Sequence, residues 1–176
     1  MLCHPGKKLT MMGTELGQWH EWNFAGELDW YLLQNPAEEK THRCIRALNH
    51  FYREHPALWD NDRSWEGYQW LVADDNTNNV VVFSRRGQRG DALTVAVNFS
   101  PVALREYRFG VEEPGIYTEV FNTEDERWGG CGIGNAAPIP AENMASHGKK
   151  QSIAITLPPL GAVIFERSDI SNDTES

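Results

Sequence analysis

The stretch Tyr68-Gln69-Trp70-Leu71-Val72-Ala73-Asp74-Asp75-Asn76-Thr77-Asn78-Asn79-Val80-Val81-Val82-Phe83-Ser84 decides the fold class. Its ends are rich in β-branched and aromatic residues, which suit a pleated, half-buried surface, while its middle is a run of Asp, Asn and Thr that favours turns. It reads as two strands, 68–72 and 80–84, joined in a hairpin. The two-residue period continues beyond it: Leu93, Val95, Val97 and Phe99 alternate with Thr94, Ala96 and Asn98. Further strands are expected at 106–111, 116–121, 152–157 and 162–167. Short strands punctuated by Gly, Pro and Asn predict an antiparallel β-sandwich over 64–167. The Gly-, Ala- and Pro-rich segment 122–150 reads as a surface excursion. Its glycine run, Trp128 to Gly134, lacks the strand-to-helix context of a phosphate loop. Residues 168–176 read as a polar, disordered tail.

Toward the N-terminus the period changes. Asn35 is placed to cap a helix, Pro36 suits its first position, and Glu38 falls where a capping-box acid would reach back. The apolar stripe Cys44, Ile45, Leu48, Phe51, Tyr52 has helical spacing, and Pro56 ends it. Before it, 8–12 reads as a short buried strand ending at Gly13, followed by an irregular loop to Gln34. Residues 1–63 therefore form one β/α unit with a long loop. The fold class expected is mainly β, a C-terminal antiparallel sandwich preceded by this β/α unit.

That loop carries the functional signal. From Gly13 to Asn23 it is dense in carboxylates, amides and indoles. Sugars present hydroxyls in a fan of directions and apolar C–H on their ring faces, so a sugar site needs polar side chains and flat aromatic ones. Glu15, Gln18, Glu21, Trp22 and Asn23 are the candidate contacts, and Trp70 in the first hairpin strand is a candidate platform away from the loop. The competing reading pairs Glu15 and Glu21 as structural carboxylates, makes Trp19 and Trp22 packing residues, and points Tyr68, Trp70 and Val72 into the core. His20 reads as a loop hydrogen-bonder, Asp29 as a cap for the following turn, and Trp59 and Trp65 as packing between helix and sandwich.

Composition narrows the classes. The net charge of −9 argues against nucleic acid, which needs a basic face. No apolar run approaches the ~20 residues of a membrane span, and the first residues lack the apolar core of a signal peptide, so a cytoplasmic location is expected. Cys3, Cys44 and Cys131 are far apart and lack zinc-site spacing, so neither metal nor cofactor is expected. Seven tryptophans are more than one core of this size needs, which leaves some for the surface.

Several motifs, in order, resemble one family. His4-Pro5-Gly6-Lys7-Lys8-Leu9, Gly13-x-Glu15-x-Gly17-Gln18 with Glu21-Trp22-Asn23, and Leu28-Asp29-Trp30-x-Leu32-Leu33 are similar to the end of the catalytic (β/α)8 barrel in bacterial 1,4-α-glucan (glycogen) branching enzymes of the α-amylase clan. Leu48-Asn49 and Pro56-Ala57-Leu58 continue the resemblance, as do Asn98-Phe99-Ser100-Pro101, Tyr107-Arg108-Phe109-Gly110, Ala145-Ser146-His147-Gly148 and Leu157-Pro158-Pro159-Leu160. The resemblance implies that 1–63 is the last strand, loop and helix of the barrel and 64–167 the all-β C-terminal domain. The rest of the barrel is then the expected partner, and α-glucans such as glycogen, amylose or maltooligosaccharides the expected ligands. Such enzymes transfer a glucan chain to a 6-hydroxyl by retaining double displacement, with two carboxyls roughly 5 to 5.5 Å apart. In the family those carboxylates lie on earlier barrel strands, and none of their motifs occurs here. No catalytic residue is assigned, and the chain alone is expected to be inactive. A free-standing glucan-binding sandwich, a domain that only stabilises the barrel, and the C-terminal part of a debranching or trehalose-releasing hydrolase are the alternatives. With the barrel partners elsewhere, the helix stripe is expected to be exposed and protease to cut before Ser64.

Overall fold

The computed structural model describes residues 1–169; of the tail expected over 168–176, Ser168 instead ends the last strand, and 170 onward lies outside the described residues. A 19-residue helix, α1 (Pro36–Glu54), is followed by eight strands: β1 (Tyr68–Asp75), β2 (Val80–Arg86), β3 (Ala92–Asn98), β4 (Leu104–Val111), β5 (Ile116–Asn122), β6 (Ile139–Pro140), β7 (Gln151–Leu157) and β8 (Ala162–Ser168). Six form one antiparallel sheet in the order β1-β2-β3-β8-β5-β6, and β4 pairs with β7 in a second. Each of the seven expected strands is present, and β6 is an extra short strand inside the 122–150 excursion.

Alternation along the strands feeds two cores. Val80, Val82, Ala96, Val163 and Phe165 point from the large sheet toward Phe109, Ile153 and Ile155 of the small one. The alternate residues Phe83, Leu93, Val95 and Ile164 meet Phe51, Leu48 and Cys44 of α1 on the opposite face. The large sheet is therefore covered on both sides, which explains why β3 is apolar at nearly every position. The helix stripe is not left exposed: the sheet face supplies the partners that a barrel was expected to provide.

β1 departs from simple alternation. Trp70 pairs with Phe83 and Val72 with Val82, so Leu71 and Val72 together face one partner residue in a bulge. Both bury their side chains, while Tyr68 and Trp70 stay on the Phe83 side. The expectation that Tyr68, Trp70 and Val72 share a face is corrected by that extra residue.

Residues 8–12 form no strand. Leu9 is 85% exposed and no strand among the described residues runs beside it. An extended segment becomes a strand only when its N–H and C=O groups pair with a neighbour, and 8–12 joins neither sheet among the described residues.

One buried charge holds the N-terminal segment to the sheet. Arg85, on β2, is wholly buried and donates Nε–H to the Gly67 carbonyl (3.1 Å), Nη1–H to the Cys3 carbonyl (2.9 Å) and Nη2–H to Asp62 Oδ1. Asp62 also accepts from the Gly6 amide at 3.1 Å and faces Lys8 Nζ at 4.0 Å.

Candidate functional site

The loop is built around two glycines. Gly13 and Gly17 have φ of +89° and +60°, bracketing a single 3-10 turn, Thr14–Leu16, whose Leu16 is fully buried. A Cβ at position 13 would stand 2.6 Å from Gln18 Oε1, so Gln18 lies folded over Gly13 because nothing projects there. Gln18 Oε1 is buried without a hydrogen-bond partner among the described residues, and Nε2 donates weakly to the His20 carbonyl at 3.4 Å.

Side chains beyond the turn are tied down one by one. Trp19 Nε1–H donates to Glu38 Oε1 at 2.8 Å, so Glu38 anchors the loop to α1. The expected cap does not form: Asn35 makes no side-chain cap bond. His20 Nδ1 lies 3.1 Å from Asp29 Oδ2, in keeping with a loop hydrogen-bonder, and Asp29 uses its carboxylate there and makes no side-chain cap bond. Trp22 Nε1–H reaches Met12 Sδ at 3.2 Å, and Asn23 Oδ1 accepts from the Ala25 amide at 3.0 Å in an Asx turn.

These ties shape a cavity of about 340 Å³ lined by Gln18, His20, Glu21, Trp22, Asn23 and Asp29. Four of the five loop candidates thus converge. Glu15 does not: it lines a separate recess of about 260 Å³ against α1, beside His42, Arg46 and His50. Trp70 lies on β1, half exposed, with its ring edge-on to Tyr68 (5.3 Å) and Phe83 (5.8 Å). His20 and Asp29 are the cavity residues that sequence reasoning assigned to structural roles; the nine-residue gap between them carries no periodic signal.

The cavity combines carboxylates, two amides and a half-exposed indole, a donor–acceptor set matched to a polyhydroxylated ligand. It offers hydrogen bonding and stacking. Among the described residues, no group of three or more His, Cys, Asp or Glu side chains could hold a metal ion.

The family described as "Alpha amylase, C-terminal all-beta domain" matches residues 70–168. The 1,4-alpha-glucan branching enzyme GlgB of Pseudomonas putida is 43% identical over 166 residues, which is 94% of this chain and 23% of that enzyme. Its counterpart in Cupriavidus pinatubonensis is 44% identical over 170 residues, 96% of this chain and 23% of that enzyme. The chain thus spans less than a quarter of the length of these relatives. Among solved structures, the catalytic module of the glycogen-degrading pneumococcal virulence factor SpuA, in complex with an inhibitor, superposes with a TM-score of 0.53 at 15% identity, covering 82% of this chain and 20% of that one. The Group B Streptococcus pullulanase SAP gives 0.50 at 14% identity, covering 80% and 18%. At such identities these two likenesses concern the fold alone.

Proposed function

Over residues 70–168 the chain belongs to the alpha-amylase C-terminal all-beta domain family, and from that premise we propose that it is the C-terminal part of a 1,4-α-glucan branching enzyme. The observation carrying this reading is the reach of the similarity. Enzymes of that name match 94% to 96% of the chain, well past the all-β domain and through the Gly13–Asn23 loop.

In this reading the loop is one wall of a glucan site. Gln18, Glu21 and Asn23 hydrogen-bond glucosyl hydroxyls, and Trp22 lies against a ring face. The indole of Trp22 is oriented by Met12 and the loop by the Trp19–Glu38 bond, so the wall is set before sugar arrives. The reacting carboxylates, which form the glycosyl intermediate and protonate the leaving oxygen, come from the rest of the barrel. That barrel is also the partner for the exposed apolar surface of Leu9, Met11, Trp19 and Phe24. Trp70 contributes a second sugar contact on the β-domain.

A chimera tests the proposal: the Pseudomonas putida enzyme with its C-terminal segment replaced by this chain. It is expected to form α-1,6 linkages from amylose, while the 176-residue chain alone forms none. A folded chimera without branching activity, or linkages made by the chain alone, counts against the reading.

A further inference from the structure

We propose that the groove between the 61–66 segment and the β2–β3 turn is an auxiliary α-glucan-binding site with Trp65 as its platform. The proposal rests on the reading above, since that supplies the ligand class.

The groove is a recess of about 850 Å³, within the range of ligand pockets. One wall is Asn61, Ser64 and Trp65. The other is the turn at Gly87–Gly90, and the floor is Tyr68 and Gln69 of β1 with Ser84 and Arg86 of β2. Trp65 was expected to pack between helix and sandwich. It is instead 94% exposed, the most open of the large apolar side chains among the described residues. An indole left in water at the lip of a polar groove is the arrangement that sugar stacking needs.

The chemistry of the lining narrows the ligand. Arg86 is paired with Glu113 at 2.8 Å, which offsets its charge toward a phosphate or carboxylate. Glu66 is the sole carboxylate lining the groove, too few for a divalent cation. What remains is a set of amides and hydroxyls under one aromatic face: Gln69 and Ser84, with Asn61 and Ser64 bonded to each other (2.7 Å) and Gln88 holding Asp60 through Nε2, their other donor and acceptor positions left to a neutral sugar chain.

The walls are tied together. Gln88 donates its backbone N–H to Asp60 Oδ1 at 3.2 Å and its Nε2–H to the Asp60 carbonyl at 2.6 Å. Arg85 joins Asp62 and the Gly67 carbonyl from below. At Gly67 a Cβ would stand 1.9 Å from the Asn61 carbonyl oxygen, so the close approach of the two backbones requires glycine there. A groove whose walls are bonded to each other loses little entropy on binding.

Affinity electrophoresis of the 176-residue chain through gels containing glycogen tests this. A background with Trp22→Ala and Trp70→Ala removes the other proposed aromatic contacts; it is expected to remain retarded by glycogen. Adding Trp65→Ala is expected to weaken the residual binding at least about fivefold, the scale of one aromatic contact. The thermal midpoint should stay unchanged, because so exposed a side chain supports no packing. Equal retardation with and without Trp65, or no retardation in that background, overturns the site. The chimera reports separately on the parent reading: an active chimera with no Trp65-dependent retardation sinks the groove alone, and an inactive one with Trp65-dependent retardation sinks only the parent assignment.

Discussion

The wholly buried guanidinium of Arg85 donates to the carboxylate of Asp62, joining strand β2 to the segment that leads from α1 into the sandwich. The same guanidinium holds the Cys3 carbonyl, and Asp62 holds the Gly6 amide, so the arm that precedes the Gly13–Asn23 loop is fastened at one point. Lys8 lies beside Asp62, and burial lowers the pKa of its ammonium against the opposing pull of that carboxylate.

Removing Asp62 leaves Arg85 as a buried charge with two carbonyls and no counter-ion. Asp62→Ala is expected to cost about 3 kcal/mol, at the low end for breaking a buried pair because those carbonyls still accept. Arg85→Met should cost less, since Asp62 keeps 18% of its side chain exposed and is rehydrated. Urea unfolding of both variants checks the order; Asp62→Ala within 1 kcal/mol of wild type, a margin smaller than any buried-pair loss, would contradict it.

Gly13→Ala forces a β-carbon into positive φ and against Gln18 Oε1. The backbone cost is about 1 to 2 kcal/mol, and Gln18 must leave its place in the cavity. Maltoheptaose binding by calorimetry should weaken as much as in Trp22→Ala, roughly fivefold for one aromatic contact. Undiminished binding in Gly13→Ala would show that the shape of this wall does not matter for sugar.

Asp75 accepts from Asn78 N (3.1 Å), Asn78 Nδ2 (2.8 Å) and Tyr107 Oη (2.7 Å), joining the hairpin turn to β4. Burial alone would raise its pKa, but the bonds from Asn78 and Tyr107 outweigh that and hold it below the usual carboxylate value. A depressed folded-state pKa stabilises at pH above the unfolded value, about 3.9, and that stability is lost as pH falls through the folded value. Asp75→Asn should therefore be less stable than wild type at pH 7, with the gap closing below pH ~4. Denaturant midpoints for the two proteins across that interval provide the check, and a gap that widens in acid would refute the assignment.

Protease should enter the 9–31 loop rather than the junction before Ser64. The loop exposes Leu9, Met11, Trp19 and Phe24, whereas α1 packs through Phe51 and Leu48 onto the sheet and Asp62 is held by Arg85. Mass spectrometry of early fragments should find α1 still joined to the sandwich. Early release of a fragment beginning near Ser64 would mean that the helix layer is weaker than its packing implies.

The sandwich was legible because its determinants are local. A strand announces itself by the alternation of its own residues, and Asp74 to Asn79 announce a turn by their own side chains. The family motifs were legible for a related reason, being short words in a fixed order. The cavity was half legible: composition singled out Gln18, Glu21, Trp22 and Asn23, but nothing in the sequence separated them from Glu15, which faces α1. Whether an aromatic residue faces core or solvent also escaped local reading, as the opposite fate of Trp65 makes plain.

By itself, then, the sequence determined the strands, their turns, the α1 boundaries and the polar and aromatic composition of the Gly13–Asn23 loop, since each depends on residues within a few positions of one another. Tertiary structure alone decided that the large sheet is covered on both faces, that 8–12 finds no ladder partner among the described residues, and that Arg85 meets Asp62 and Cys3, which lie 23 and 82 positions away. Those outcomes depend on which surfaces meet. A side chain's burial and a strand's pairing are properties of its neighbours in space, and periodicity along the chain does not encode them.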